Sequence, residues 1–200
     1  MSYSDFTIDL LKERFGIRLI EDTVFFPSPK LFQVPEFLSE LLRKYVPLAT
    51  MMNTEKSRSE LIIAPVLVEF KLTSKKKISL FSGTEFNVEQ KEGLNGRCDY
   101  IISKSEEQLT LNAPVIVIVE AKNENIISGI PQCIAEMIAA MRFNILKENR
   151  IDTIYGIVTT GSLWRFLKLE SNNTAYVDMT EYHIQNIDKI IGILDDIVNV

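Results

Sequence analysis

The run Ala113-Pro114-Val115-Ile116-Val117-Ile118-Val119 restricts the fold of this chain more than any other segment. Its residues are β-branched and apolar with no helical cap among them, so it reads as a central strand buried on both faces. Charge then appears abruptly, in Glu120-Ala121-Lys122. Side chains alternate along an extended strand, which puts Glu120 and Lys122 on one face and Ala121 on the other. A carboxylate and an ammonium are therefore predicted side by side where a buried strand ends.

A second β-rich run, Gly96-Arg97-Cys98-Asp99-Tyr100-Ile101-Ile102, follows the turn-like Lys91 to Gly96 and carries Asp99, 21 positions before Glu120. Paired as neighbouring strands, the two runs bring the acids together. Carboxylates that close repel each other, and burying both is costly unless something compensates. A hard divalent cation would do so, since Mg²⁺ takes one or two carboxylates, carbonyls and water. The bland reading is an ion pair at a strand end. Glu-x-Lys is a short pattern, and the chain holds two other copies, Glu69-Phe70-Lys71 on a predicted helix and Glu89-Gln90-Lys91 in a polar loop. Residues two apart on a helix do not face each other. Only Glu120-Ala121-Lys122 follows a buried strand with an aspartate on the strand before it.

On these residues the chain resembles the PD-(D/E)XK, or restriction-endonuclease-like, nuclease superfamily over roughly Ser57 to Leu169. The resemblance implies an α/β fold: a central mixed β-sheet flanked by helices in αβββαβ order, with N-terminal helical additions and a C-terminal helix. The matching segments are a helix near Ser57 to Lys71, strands near Ile78 to Val88, Arg97 to Ser103 and Pro114 to Lys122, a helix near Pro131 to Lys147, and a strand at Thr153 to Thr159. Thr159 to Phe166 looks like the turn and aromatic strand of several members. Cys98 stands where the family name has proline. One domain is implied, with 1–53 a helical extension, 54–169 the core and 170–200 a terminal strand and helix.

By the same resemblance Asp99, Glu120 and the carbonyl of Ala121 would hold Mg²⁺, with Mn²⁺ as a substitute, and Lys122 would orient or help deprotonate the attacking water. Some members carry an extra acid on the first core helix, which points to Glu60. The alternative for Glu60 is a Ser57-x-x-Glu60 capping box. Gln132, placed just inside the crossover helix after Pro131, is a further site candidate because this helix often presents a polar side chain to the lysine. Cys133, Ile134, Met137, Ile138 and Met141 form its apolar stripe, leaving Gln132 and Glu136 off it, where a solvated face explains them as well.

Composition narrows the rest. With 46% hydrophobic residues in 200, one domain with a sizeable core is expected. The longest uninterrupted apolar run, Leu61 to Val68, is far short of the roughly 18 to 20 residues of a membrane span, and the early acids Asp5, Asp9 and Glu13 are unlike a secretory signal. A cytoplasmic protein with no membrane partner is the expectation. Cys98 and Cys133 read as core thiols and His183, the single histidine, as a helix-end or surface residue. No Walker loop, dinucleotide fingerprint or nucleophile elbow is present.

The net charge of −5 weighs against strong phosphate binding. The basic runs Lys71, Lys75, Lys76, Lys77 and Arg43-Lys44 read as solvated surface or as weak nucleic-acid patches. The partner implied by the resemblance is nucleic acid, DNA before RNA, with a homodimer and a separate targeting protein both open. Ile8, Leu11 and Phe15, and then Phe37, Leu38, Leu41 and Leu42, predict N-terminal helices that cover the sheet or build a dimer contact. Ile184, Ile187, Ile190, Ile191, Leu194 and Ile197 predict a packed last helix. Three functions follow: a Mg²⁺-dependent nuclease, a non-cutting nuclease-fold accessory protein of a DNA recombination or defence complex, or an interaction module whose charges are structural.

Overall fold

A computed structural model describes all of residues 1–200. Helix α1 (Ile8–Phe15) is capped by the Thr7 hydroxyl and ends at Gly16 in the left-handed conformation. Strand β1 (Arg18–Thr23) and helix α2 (Glu36–Met52) follow. A continuous helical stretch then runs through α3 (Glu55–Arg58), a π-helical turn at Ser59–Ile63 and α4 (Ala64–Thr73). Pro65, with no N–H of its own, lies just past the wide turn in which Ala64 N–H donates to the Ser59 carbonyl. Strands β2 (Ser79–Glu85), β3 (Arg97–Ser103) and β4 (Val115–Ala121) form a meander, and helix α5 (Ile126–Leu146) crosses over to β5 (Thr153–Thr159). Strands β6 (Leu163–Glu170) and β7 (Thr174–His183) and helix α6 (Ile187–Asn199) complete the chain.

All seven strands join one mixed sheet in the order β1-β7-β6-β5-β4-β3-β2. The β4–β5 and β1–β7 pairs are parallel, the rest antiparallel. Every residue of β4 is buried, as its apolar run requires. Alternation sends Ile118 into a core shared with Leu11, Phe15, Ile134 and Val158, under α5 and the N-terminal segment. Val117 and Val119 face the other core, with Leu38, Ile62, Val66, Ile190 and Leu194 from α2, the α3–α4 stretch and α6. The molecule is thus an α/β three-layer arrangement with β4 in the interior of the sheet, beside the middle strand β5.

Several expected boundaries shift for local reasons. Helix α5 starts five residues before Pro131, because the Asn125 carboxamide accepts from the Ile127 and Ser128 N–H groups and caps it there. Pro131 therefore lies inside the helix, and Gln132 does not open it. The first core helix is capped by Thr54, reciprocally with Ser57, so the Ser57-x-x-Glu60 box does not form. Helix α2 continues through Pro47 to Met52, with proline on its exposed side. Strand β1, charged at Arg18, Glu21 and Asp22, escapes a hydrophobic pattern search because it is an edge strand paired on one side only.

Glu136 is also corrected: it is fully buried rather than on a solvated face. The N-terminal segment, with Tyr3, Phe6 and Phe15 in the same core as Ala135 and Ala139, covers the side of α5 turned from the sheet. That packing explains why α5, the one helix with the length and mean hydropathy of a membrane span, has 67% of its apolar window buried in protein. Both cysteines are free and buried, and His183 is exposed, its Nδ1 accepting from Gln185 N–H.

Candidate active site at the end of β4

The antiparallel ladder of β3 and β4 pairs Ile102 with Val117, Ile101 with Ile118 and Tyr100 with Val119. One step further along that register Asp99 stands opposite Glu120. The regular pairing stops there, and the Asp99 side chain takes over: its Oδ2 accepts the Ala121 backbone N–H at 2.7 Å. On the other edge of β4, Glu120 pairs with Val158 and Ala121 with Thr159, and Lys122 N–H donates to the Thr159 carbonyl at 2.8 Å. The strand end is held from both sides.

Glu120 and Lys122 share a face, as alternation requires, and meet at 2.5 Å between Oε1 and Nζ. The Lys122 ammonium also donates to Gln132 Oε1 at 3.2 Å, and Gln132 Nε2 donates to Glu136 Oε1 at 3.1 Å. A polar chain thus runs Glu120, Lys122, Gln132, Glu136 from the sheet into α5. Gly129 makes the approach possible. A Cβ there would sit 2.7 Å from Val158 Cγ1 and 3.0 Å from Lys122 Cγ.

Burial sets the electrostatics. Glu120 is 1% exposed, and burial, with the Asp99 charge adding, pushes its carboxyl up to about 8 against the pull of Lys122. Burial also raises Asp99, while the Ala121 N–H and Lys122 hold it back. Glu136 is raised well above the usual carboxylate range by burial and then by Glu120. Burial disfavours the Lys122 charge, but Glu120, Glu55 and Asp99 together outweigh it and raise the group. Glu120 Oε2 and Glu136 Oε2 are buried without a hydrogen-bond partner. In a protein interior such oxygens are costly and call for a proton or a cation.

A cleft of about 240 Å³ opens over Asp99 and Ala121, walled by Glu55, Lys56 and Ser59 from the first core helix and by Ser82, Gly83 and Arg97 from the meander. A larger hollow of about 460 Å³, between α2 and the segment leading into α6, has no acid in its lining. No three acidic, histidine or cysteine side chains gather into a ready-made metal cage. Glu120 and Lys122 do not line this cleft; a hard cation at its floor would draw on Asp99, the Ala121 carbonyl and water, and would have to reach the buried Glu120 carboxylate beside them. The unpartnered Glu120 Oε2 and the oxygen-only donor set fit such an ion.

Of the residues singled out in the sequence, Asp99, Glu120, Ala121, Lys122 and Gln132 come together. Glu60 does not line the cleft: its side chain is 60% exposed and pairs with Lys56 at 3.0 Å. Glu55, which the sequence reading passed over, does line it. The signal available was Thr54, a favoured N-cap residue followed directly by the acid Glu55, which starts the helix about one turn earlier. Arg58 was also missed. It is 8% exposed and donates to Asn53 Oδ1, Asn123 Oδ1, the Thr160 carbonyl and Ser162 Oγ, each at 3.2 Å. This guanidinium ties the end of α2, the residue after Lys122 and the β5–β6 turn into one frame.

The predicted basic run enters β2 from the end away from the cleft, and Lys77 is paired with Glu106 at 2.8 Å. At the cleft itself Arg97 pairs with Glu85 at 3.4 Å and Lys56 with Glu60. No protein-family model matches the chain, and no curated protein is similar to it in sequence.

Proposed function

We propose that the chain is a metal-dependent nuclease with a restriction-endonuclease-like core, hydrolysing phosphodiester bonds of nucleic acid, DNA first. The observation that carries this reading is the convergence of Asp99 and Glu120 at the end of β4, with the Lys122 ammonium fixed between Glu120 and Gln132. The element order from the first core helix to β5 supports it as well.

Asp99, Glu120 and the Ala121 carbonyl would hold Mg²⁺ or Mn²⁺, which supplies positive charge to two crowded acids, polarises a phosphoryl oxygen and acidifies water. The chain's own groups do the positioning. Lys122 is a cation held by two partners next to the acids, placed to orient water and to stabilise charge that builds up at phosphorus. Gln132 restricts the ammonium to one direction, which preorganises it. Glu55 on the cleft wall adds an acid facing Lys122 and Glu120, and it takes the place on the first core helix expected of Glu60.

The test is cleavage of supercoiled plasmid, single-stranded DNA and RNA in Mg²⁺ or Mn²⁺ by wild type, Asp99→Ala and Lys122→Ala. Metal-dependent cutting by wild type alone supports the nuclease; the absence of cutting on every substrate together with no metal binding by calorimetry refutes it. A second reading, a non-cutting accessory protein, gains support from the charge at the cleft mouth. Arg97 and Lys56 are each paired with a glutamate, so little free positive charge remains for phosphate. Metal-enhanced DNA binding without cutting would favour it. Under either reading weak intrinsic affinity and a separate targeting protein are the expected partners' arrangement.

A further inference from the structure

We propose that Glu136 is a positioning residue for Lys122, acting through Gln132. Glu136 is fully buried in α5, and its chain neighbours Ala135 and Met137 are fully buried as well. Its one hydrogen bond is the 3.1 Å contact in which Oε1 accepts from Gln132 Nε2, and Oε2 has no partner. A carboxyl in that setting costs folding free energy that an apolar side chain of the same size would not. A group so unfavourable for stability, placed behind a polar cluster, points to a duty other than stability.

The geometry names that duty. Gln132 stands one turn before Glu136 on α5, so the two side chains meet along the helix surface. Gln132 is only half-buried, and a side chain so flexible has water within reach. By accepting from Nε2, Glu136 draws the carboxamide inward and leaves its Oε1 aimed at the Lys122 ammonium, 3.2 Å away. The reversed carboxamide would set its NH2 against the ammonium, donor facing donor. Glu136 accepts through Oε1 with or without a proton on Oε2, so the arrangement does not depend on its charge. Glu120 at 2.5 Å and Gln132 at 3.2 Å hold the ammonium from two sides, and only the Gln132 side depends on Glu136.

Any effect on cleavage rests on the nuclease reading, but the hydrogen bonds are read without it. In isotope-labelled wild type, the Gln132 carboxamide resonance is assigned by its loss in Gln132→Met. Its protons should exchange with water about tenfold more slowly than those of exposed glutamines. Acylation of Lys122 by acetic anhydride, followed by mass spectrometry, should quicken about threefold in Glu136→Met and equally in Gln132→Met, the worth of one net hydrogen bond. Glu136→Met keeps the volume and removes the acceptor, so thermal stability should hold or rise while Lys122 is loosened, which a purely structural acid would not show. Where the protein cuts, kcat should fall about tenfold in each variant at unchanged KM, no further in the double variant, and recover in Glu136→Gln. A freely exchanging Gln132 carboxamide overturns the proposal even if cleavage is metal-dependent, and so does Lys122 acylation unchanged in Glu136→Met. Absence of cutting, with Lys122 still loosened in Glu136→Met, counts against the nuclease reading and leaves the positioning role standing.

Discussion

The Asp99 carboxylate accepts the backbone N–H of Ala121 at 2.7 Å, in the place where the next rung of the β3–β4 ladder would be. One residue therefore both ends the strand pairing and faces the cleft. Removing the side chain as Asp99→Ala leaves a part-buried N–H without its acceptor, and a loss of about 1–2 kcal/mol is expected in urea unfolding. Asp99→Asn keeps an acceptor oxygen and should lose little stability. Both variants should lose divalent-metal binding by calorimetry, which separates the structural duty of this carboxylate from its charge.

Glu120 gives the metal-free protein a pH dependence whose sign is fixed. Its folded-state carboxyl lies at about 8, above the ordinary value of 4.5, so its contribution is complete below pH 4.5 and is lost as pH rises toward 8. Thermal unfolding in a chelator should therefore show lower stability at pH 8 than at pH 5.5. Mg²⁺ competes with the proton for the same oxygens, so the metal-induced rise in Tm should be larger at pH 8. Equal Mg²⁺ shifts at the two pH values would contradict a site built on Glu120.

Glu136 is raised in the same direction, first by burial and then by Glu120. Glu136→Gln has the same shape and keeps an oxygen for the Gln132 carboxamide. It should match wild type near pH 5 and exceed it increasingly up to pH 8, by a slope of up to about 1.4 kcal/mol per pH unit. Glu136→Ala instead leaves a cavity and frees Gln132, so stability should fall, and with it any cleavage by the proposed nuclease.

Gly129 tests the packing behind Lys122. In Gly129→Ala the new methyl meets Val158 and the lysine stem, and a loss of about 1–3 kcal/mol is expected. Because the displaced stem carries the ammonium, the proposed nuclease activity predicts that cleavage falls more than nucleic-acid binding. Ser128→Ala, one residue away on the exposed side, is the control and should leave cleavage unchanged.

Arg58 has no carboxylate among its hydrogen-bond partners, all of which are neutral oxygens spread over three segments. Lysine cannot reproduce that fork. Arg58→Lys and Arg58→Met should both cost on the order of 2–3 kcal/mol and loosen the Asn123 and Thr160 segments, detected as faster amide exchange there.

The strands of the core were legible because their signals are local. β3 and β5 fall on the ranges read from β-branched runs between turn residues, and β4 within one residue of its expected ends. Helix starts were less legible, because Thr54 and Ser57 offer competing caps and Asn125 outcompetes the proline signal at Pro131. Glu136 could not be assigned from periodicity. A stripe shows which face of a helix meets the sheet, and it is silent about a distant N-terminal segment that covers the opposite face.

The sequence by itself determined the buried central strand and the shared face of Glu120 and Lys122, because alternation along an extended backbone needs no information from elsewhere in the chain. Only the tertiary structure decided that Asp99 closes on Ala121, that Glu55 rather than Glu60 walls the cleft, and that Glu136 is buried behind Gln132. Those relations depend on strand register, on which cap begins a helix and on what packs over α5, and each is a competition among segments far apart in the sequence.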